Sequence, residues 1–476
     1  MSCANKESYD IIGKNWHRRN GMKIIVVGSG KIGFAAARML AEDGHDVTVI
    51  ERDADQINNL SNMLDVICVE GSATDPEVLT EAGAQSADFL IAATAQDEVN
   101  MLCAVTADKL GVKNTVARVR DPQYVRSTAF IRDTLGINRI INPDLECAKA
   151  ISRTLRFPGA VRVDNFSKGS LEIAEHVVEN GGPLDGVKLK DLGAKFNARV
   201  LVDVVERDGE AYIPNGLFEL RHGDRLNIAG ESRELRKFFA ALGRQKKTIK
   251  NVMIAGGGRT AVYLARILNE NGMNVTVVER ERERCEKLCE LIPKARIVCA
   301  DATHGEELLE EGLMRMDAFV ALTGDDEDNI IMSMYSHNRG LGKTITKVNR
   351  DQYSTMLESL GLESVVMPKE ITAQQITSYA RATENSRGIS SVETMHLVAG
   401  GKVEVLEFKV SSKAKCVGIP LKDLKLKPDI LISAIIRNEK SLIPNGLSVI
   451  EPGDHAVIIS AAGRIKTIDE IIGSVG

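Results

Sequence analysis

The sequence predicts an α/β chain built twice over: two doubly wound parallel-sheet domains, each followed by a small α+β domain. Three observations carry this. Residues 26–33 read VVGSGKIG and residues 254–261 read IAGGGRTA, each where an apolar strand meets a helix. ADFLIAAT (87–94) and DEVN (97–100) return as MDAFVALT (316–323) and DEDN (326–329), and IPNG at 213–216 returns at 443–446. The offset is about 230 residues throughout, far too long for a solenoid unit and long enough for a pair of domains. Within each copy, short apolar runs alternate with helix-length segments, the pattern of a parallel sheet with crossover helices.

In the first copy KIIVV (23–27) is uniformly apolar, as in a strand buried on both faces. The glycines follow, then a helix over 31–43 that carries Ala35, Ala36, Ala37 and Leu40 on its buried side. VTVIE (47–51), a helix over 54–64, a strand over 66–69, the turn Gly71-Ser72-Ala73-Thr74 and a helix over 75–83 come next. FLIAAT (89–94) is a buried strand, and Asp97 is placed to cap the helix that holds Asn100. TVARVR (115–120) and INRIINP (137–143) complete six strands, and residues 250–368 repeat the string. A helix follows each sheet, over 144–155 and over 369–382.

Each small domain has short strands split by tight turns. LKDL, PNG and GD recur in that order in 161–240 and 395–472, with a terminal helix expected over 232–242 and 463–472. The expected organisation is an extension over 1–21, large domains over 22–150 and 250–378, and small domains over 161–243 and 392–474.

A length of 476 residues and 43% apolar content suit several packed domains. A net charge of −5 gives no reason to expect nucleic acid, which favours a basic face. The one basic stretch, Arg244 to Lys250, falls between the copies and reads as a solvated linker. The eight cysteines form no CxxC pair, and Cys285 and Cys289 lack further ligands beside them, so no metal site is expected. No apolar run reaches membrane-span length.

The glycine turns carry the chemistry. Gly28 allows the tight turn, Gly30 lets the backbone approach a pyrophosphate, and Gly33 lets helix and strand pack closely, while the helix N-terminus faces the phosphates. Glu51, about 20 residues on at a strand end, is placed to accept ribose hydroxyls, which disfavours a 2′-phosphate. The pattern is Rossmann-like, and the bland alternative is a tight turn in a sheet without a ligand. Further candidates lie where strands meet helices: Ser29, Lys31 and Ile32 in the turn, then Ser72, Thr94, Ala95 and Arg118. Lys31 and Arg118 read equally as solvated surface cations. In the second copy the candidates are Gly256, Gly257, Gly258, Arg259, Thr260, Glu279 and Asp301, with Thr323 and Lys347 as counterparts of Thr94 and Arg118. There Ala261 replaces the third glycine, Gly257 adds flexibility, and Asp301 sets a carboxylate where the first copy has Ser72. No histidine recurs in both copies and no catalytic motif is present, so no catalytic residue is assigned.

GSGKIG, VIERD, GSATD, ADFLIAAT with DEVN, and ARVRDPQY together resemble the nucleotide-binding domain of regulators of potassium conductance (RCK domains). The small domains resemble that family's C-terminal domain. Two such pairs in one chain resemble the peripheral subunits of Trk-type potassium transporters. The resemblance implies binding of NAD(H) or an adenine nucleotide (ATP or ADP) by the candidate residues above. It also implies a homo-oligomeric ring of RCK domains and a cytoplasmic place at the inner face of the membrane, beneath a potassium-transporting partner. An NAD-dependent oxidoreductase and a nucleotide sensor of another channel or transporter are the rival readings.

Overall fold

The computed structural model describes residues 21–243, 248–350, 352–362, 364–385, 391–461, 463 and 465–473. Most of the expected extension and the linker residues Arg244 to Lys247 therefore lie outside the described residues.

The first half opens with β1 (Lys23–Val27), α1 (Lys31–Glu42), β2 (Asp46–Glu51), α2 (Ala54–Met63), β3 (Ile67–Glu70) and α3 (Pro76–Glu81). It continues with β4 (Phe89–Ala92), α4 (Asp97–Leu110), β5 (Asn114–Arg118), α5 (Pro122–Arg126), α6 (Thr128–Leu135) and β6 (Arg139–Ile141). The strands form a parallel sheet in the order β3-β2-β1-β4-β5-β6. The order reverses between β1 and β4, so a crevice opens beyond their carboxyl ends. α7 (Pro143–Leu155) leads to β7 (Arg162–Phe166), β8 (Leu171–Val177), α8 (Leu192–Phe196), β9 (Leu201–Arg207), β10 (Glu210–Tyr212), β11 (Arg225–Gly230) and α9 (Ser232–Ala241). These strands form an antiparallel sheet, β10-β9-β11-β8-β7.

The second half repeats the plan with β12 (Asn251–Ala255), α10 (Arg259–Glu270), β13 (Asn274–Glu279), α11 (Arg282–Leu291), β14 (Arg296–Cys299) and α12 (Gly305–Glu310). β15 (Ala318–Ala321), α13 (Asp326–Asn338), β16 (Lys343–Lys347), α14 (Gln352–Ser359), β17 (Val365–Val366) and α15 (Pro368–Asn385) complete its large part. Its parallel order is β14-β13-β12-β15-β16-β17. β18 (Ser391–Val398), β19 (Val403–Lys409), β20 (Ile430–Arg437), β21 (Lys440–Leu442) and β22 (His455–Ser460) make the last sheet, β18-β19-β22-β20-β21.

Two expectations are corrected. The helix expected over 463–472 is only a short 3-10 turn, Ile468–Ile471. Gly463 has φ +95, and the segment instead runs beside residues 425–427, with Lys427 N–H donating to Ile471 O and Gly473 N–H to Lys425 O. Asp97 does not cap its own helix, whose N-cap is Gln96. Its carboxylate accepts from the N–H groups of Arg120 and Asp121, both at 2.8 Å, and so fixes the loop after β5.

The two halves exchange helices. α7 packs on α10, and its Cys147, Ala148, Ile151 and Leu155 are buried in the core of the second large sheet. α15 packs on α1, and its Ala373, Ile376 and Ala380 are buried in the core of the first. The small sheets also share a core, in which Phe166, Ile173 and Val204 meet Val405, Ile436 and Val457.

Candidate functional site

Gly28 ends β1 with φ +88, and a Cβ there would press on the Thr94 backbone at 3.2 Å. At Gly33 a Cβ would come within 1.9 Å of Gly28 O, so only glycine fits where the helix crosses the turn. At Gly30 a Cβ would meet nothing within 4 Å, because the space beyond is the crevice. Gly30 is also the N-cap of α1 and supplies no capping side chain, so the first-turn N–H groups face that space without an intrahelical partner.

Glu51 closes the turn from the end of β2. Its Oε2 accepts from Ser29 N–H and Ser29 Oγ, both at 2.7 Å, and its Oε1 from Arg52 N–H at 2.7 Å. Burial pushes this carboxyl up, but the Ser29 hydroxyl and N–H, with the N–H groups of Arg52 and Asp53, together hold it below its ordinary value. It is therefore ionised, with one oxygen held by Ser29 and the other by the chain that follows.

The opposite wall is set by Asn100. Its Oδ1 accepts from Thr94 N–H at 2.8 Å and Thr94 Oγ1 at 2.7 Å, and its Nδ2 donates to Arg118 O at 2.9 Å. Asn329 makes the same bonds to Thr323 and Lys347 O in the second half. The repeated DExN motif is thus a clamp on two strand ends. Arg118 is no solvated surface cation: it is largely buried and donates to Thr94 O. Burial, then the Arg120 charge, lowers its pKa to about 10. Lys31 is exposed, at the start of α1.

These elements enclose a cleft of about 590 Å³ lined by Gly28, Gly30, Lys31, Ile32, Glu51, Thr94, Ala95 and Arg118. Ser29, Gly33 and Ser72 do not line it. Ser29 serves Glu51, Gly33 serves the helix crossing, and Ser72 Oγ accepts from Arg52 at 2.7 Å and so positions a cation that does line it. Sequence reasoning did not pick out Arg120, Asp144 and Lys369 on the same wall. Arg120 is signalled by its place two residues after Arg118. The other two arrive on α7 and α15, and Lys369 comes from the far half of the chain.

A second cleft of about 470 Å³ is lined by Gly256, Gly257, Gly258, Arg259, Thr260, Glu279 and Asp301. Gly257 is there for space, not flexibility: a Cβ would strike Leu288 at 2.5 Å, and its N–H donates to Glu279 Oε2 at 2.7 Å. Ala261, in the place of Gly33, is fully buried. Asp301 is engaged in its own loop, accepting from Thr303 N–H at 2.9 Å and Thr303 Oγ1 at 2.7 Å, which holds its carboxyl below the ordinary value.

The clefts adjoin. Asp144, Thr260 and Lys347 line both, and Thr260 Oγ1 donates to Asp144 Oδ1 at 2.7 Å. Their linings differ in sign. The first sets Lys31, Arg52, Arg118, Arg120, Lys347 and Lys369 against Glu51 and Asp144. The second sets Arg259, Arg280 and Lys347 against Asp144, Glu279, Glu281, Asp301, Asp325 and Asp328.

The family model of the TrkA-N domain matches residues 24–143 and 252–368, and that of the TrkA-C domain matches residues 173–243 and 405–473. The chain belongs to the TrkA family. It is 34% identical over 450 residues to the Trk system potassium uptake protein TrkA homolog of Archaeoglobus fulgidus, covering 94% of this chain and 100% of the relative. It is 31% identical over 441 residues to the TrkA of Vibrio alginolyticus, covering 92% and 95%. Among solved structures, the GsuK channel bound to NAD aligns with a TM-score of 0.61 at 20% identity, over 94% of this chain and 78% of that one. The GsuK RCK domain aligns with a TM-score of 0.60 at 19% identity, over 94% and 93%. These likenesses show the fold, a tandem RCK arrangement. Both glycine turns fall inside the TrkA-N matches, whereas Asp144 and Lys369 each lie one residue beyond one.

Proposed function

We propose that the chain is the nucleotide-binding regulatory subunit of a Trk-type potassium uptake system, gating potassium passage through a membrane partner in response to NAD(H) or ATP/ADP. The observation that carries this is the cationic first cleft, at the switch point of a parallel sheet, with an ionised Glu51 at its ribose end. In this reading the Gly28–Gly33 turn and α1 receive the phosphates. Arg118, held by Thr94 and Asn100, reads which phosphates are present, Thr94 and Ala95 shape the rim, and Ser72 positions Arg52 beside it. The NAD in the GsuK channel structure supports a dinucleotide as one such ligand.

Glu51 is pinned on Ser29 and Arg118 on Thr94, which favours binding over proton transfer by these two groups and a regulator over an oxidoreductase. Ligands with different contacts stabilise different placements of α7 and α15, and only such differential affinity shifts a gating equilibrium. No helix among the described residues is long and apolar enough to cross a membrane. We place the chain in the cytoplasm, peripheral to the inner face, as a homo-oligomeric ring.

The test is potassium flux through the co-reconstituted membrane partner with and without NADH, NAD, ADP and ATP. Flux that changes with nucleotide, and loses that change in Gly30→Asp, supports the reading. Flux that ignores nucleotide overturns it.

A further inference from the structure

α7 and α15 open in the same way, with Pro143-Asp144 and Pro368-Lys369, and each reaches across to the glycine turn of the other half. Equivalent positions therefore carry opposite charges. Lys369 lines the first cleft, whereas Asp144 lines the second and holds its Thr260. Thr260 is the second residue of α10, two after the N-cap Gly258, and it is buried. A phosphate arriving at that turn is received by the first-turn N–H groups and the adjacent hydroxyl. In this chain that hydroxyl already donates to a carboxylate.

We propose that Asp144 stands in for phosphate at the second glycine turn and is the residue that makes the two clefts unequal. Its carboxylate takes the Thr260 hydroxyl and adds a negative charge to a lining already rich in acids, so the second cleft refuses a diphosphate. The ribose acid Glu279 is retained, so the ligand class left to this cleft is an uncharged nucleoside. The chain then binds one nucleotide, in the first cleft. Because Asp144 also borders the first cleft, phosphate bound there lies close to the same carboxylate, and the occupancy of one cleft bears on the other. This inference rests on the nucleotide-binding role proposed above.

The test uses the full chain and separates the two claims. ADP and adenosine are titrated calorimetrically into wild type, Gly30→Asp, and Gly30→Asp combined with Asp144→Asn. Gly30 has open space beside it, so aspartate there blocks the first cleft without disturbing the fold. Asparagine keeps the shape of Asp144 and its capacity to accept from Thr260, but not its charge. The expected result is one ADP per wild-type chain, no measurable binding to Gly30→Asp, and recovery of one ADP in the double variant, at least tenfold tighter than the detection limit that bounds Gly30→Asp. Adenosine affinity in that background should change by far less than ADP affinity, which distinguishes relief of a phosphate-specific exclusion from general loosening of the cleft. ADP binding by Gly30→Asp that is indifferent to Asp144→Asn, or no recovery in the double variant, overturns the assignment. Wild type that binds no ADP instead counts against the functional reading, while the comparison of the two variants still decides the role of Asp144.

Discussion

The Arg381 guanidinium forks onto Asp43, Nε meeting Oδ2 at 2.7 Å and Nη2 reaching Oδ1, while Nη1 meets Glu404 at 2.8 Å. One buried cation thus ties the turn after α1, helix α15 and strand β19. Arg156 and Glu172 make the matching link from α7 to β8 at 2.6 Å. Arg381→Ala leaves two largely buried carboxylates without their cation, a loss of about 3–5 kcal/mol. The expected outcome is a lowered thermal midpoint, with Arg381→Lys intermediate because an ammonium cannot fork. An unchanged midpoint would show that the link contributes nothing.

Asn100 is buried and satisfies Thr94 and Arg118 at once. Asn100→Ala strands their polar groups, and a stability loss of about 2–3 kcal/mol is expected. Nucleotide affinity should fall as well, since both residues border the first cleft. Asn329→Ala should cost similar stability and lower that affinity less, because of its two partners only Lys347 borders the first cleft. Denaturant melts with ligand titrations check both, and equal effects of the two variants on affinity would contradict the assignment of the working cleft.

Asp203 is fully buried in the core shared by the small sheets, with the Ser433 hydroxyl of the other sheet beside it. Burial pushes its carboxyl up from 3.8 to about 8, an effect that the nearby Ser433 hydroxyl only partly offsets. Unfolded Asp203 loses its proton near pH 4 and the folded group keeps its own to about pH 8, so its contribution to stability falls as pH rises through that window and is level above it. Asp203→Asn removes this dependence. Its stability relative to wild type should grow by the order of a few kcal/mol between pH 4 and pH 8. A difference independent of pH would contradict the raised value.

The exchange of α7 and α15 makes the halves interdependent. A fragment ending before residue 248 loses Ala373, Ile376 and Ala380 from the first core and exposes the apolar face of α7. It should bind hydrophobic dyes and melt well below the full chain. A cooperative melt at the full chain's temperature would mean that the exchange is dispensable. Within the full chain, Ile151→Ala should cost about 2–5 kcal/mol, because the residue is wholly buried in the partner core.

The parallel sheets were legible because KIIVV and FLIAAT are uniformly apolar and the glycines mark the turn between strand and helix. The repeat made the second half readable from the first. What escaped was long-range. Asp144 and Lys369 look like ordinary first-turn helix residues, and nothing near them shows that their helices cross to the other half. The roles of Asp97 and Gly257 were misjudged for a related reason: each is explained by a neighbour more than 20 residues away, Arg120 for one and Leu288 for the other. The terminal segment 463–472 carries isoleucines at helical spacing, yet pairing with residues 425–427 overrides that local preference.

The central claim is that nucleotide binds in the first cleft, on the Gly30 turn and Glu51. Calorimetric titration of NAD into wild type, Gly30→Asp and Glu51→Ala tests it most directly. The account predicts saturable binding to wild type, about 10- to 100-fold weaker binding for Glu51→Ala through lost charge-assisted ribose bonds, and none for Gly30→Asp. Wild-type affinity retained in both variants would contradict it.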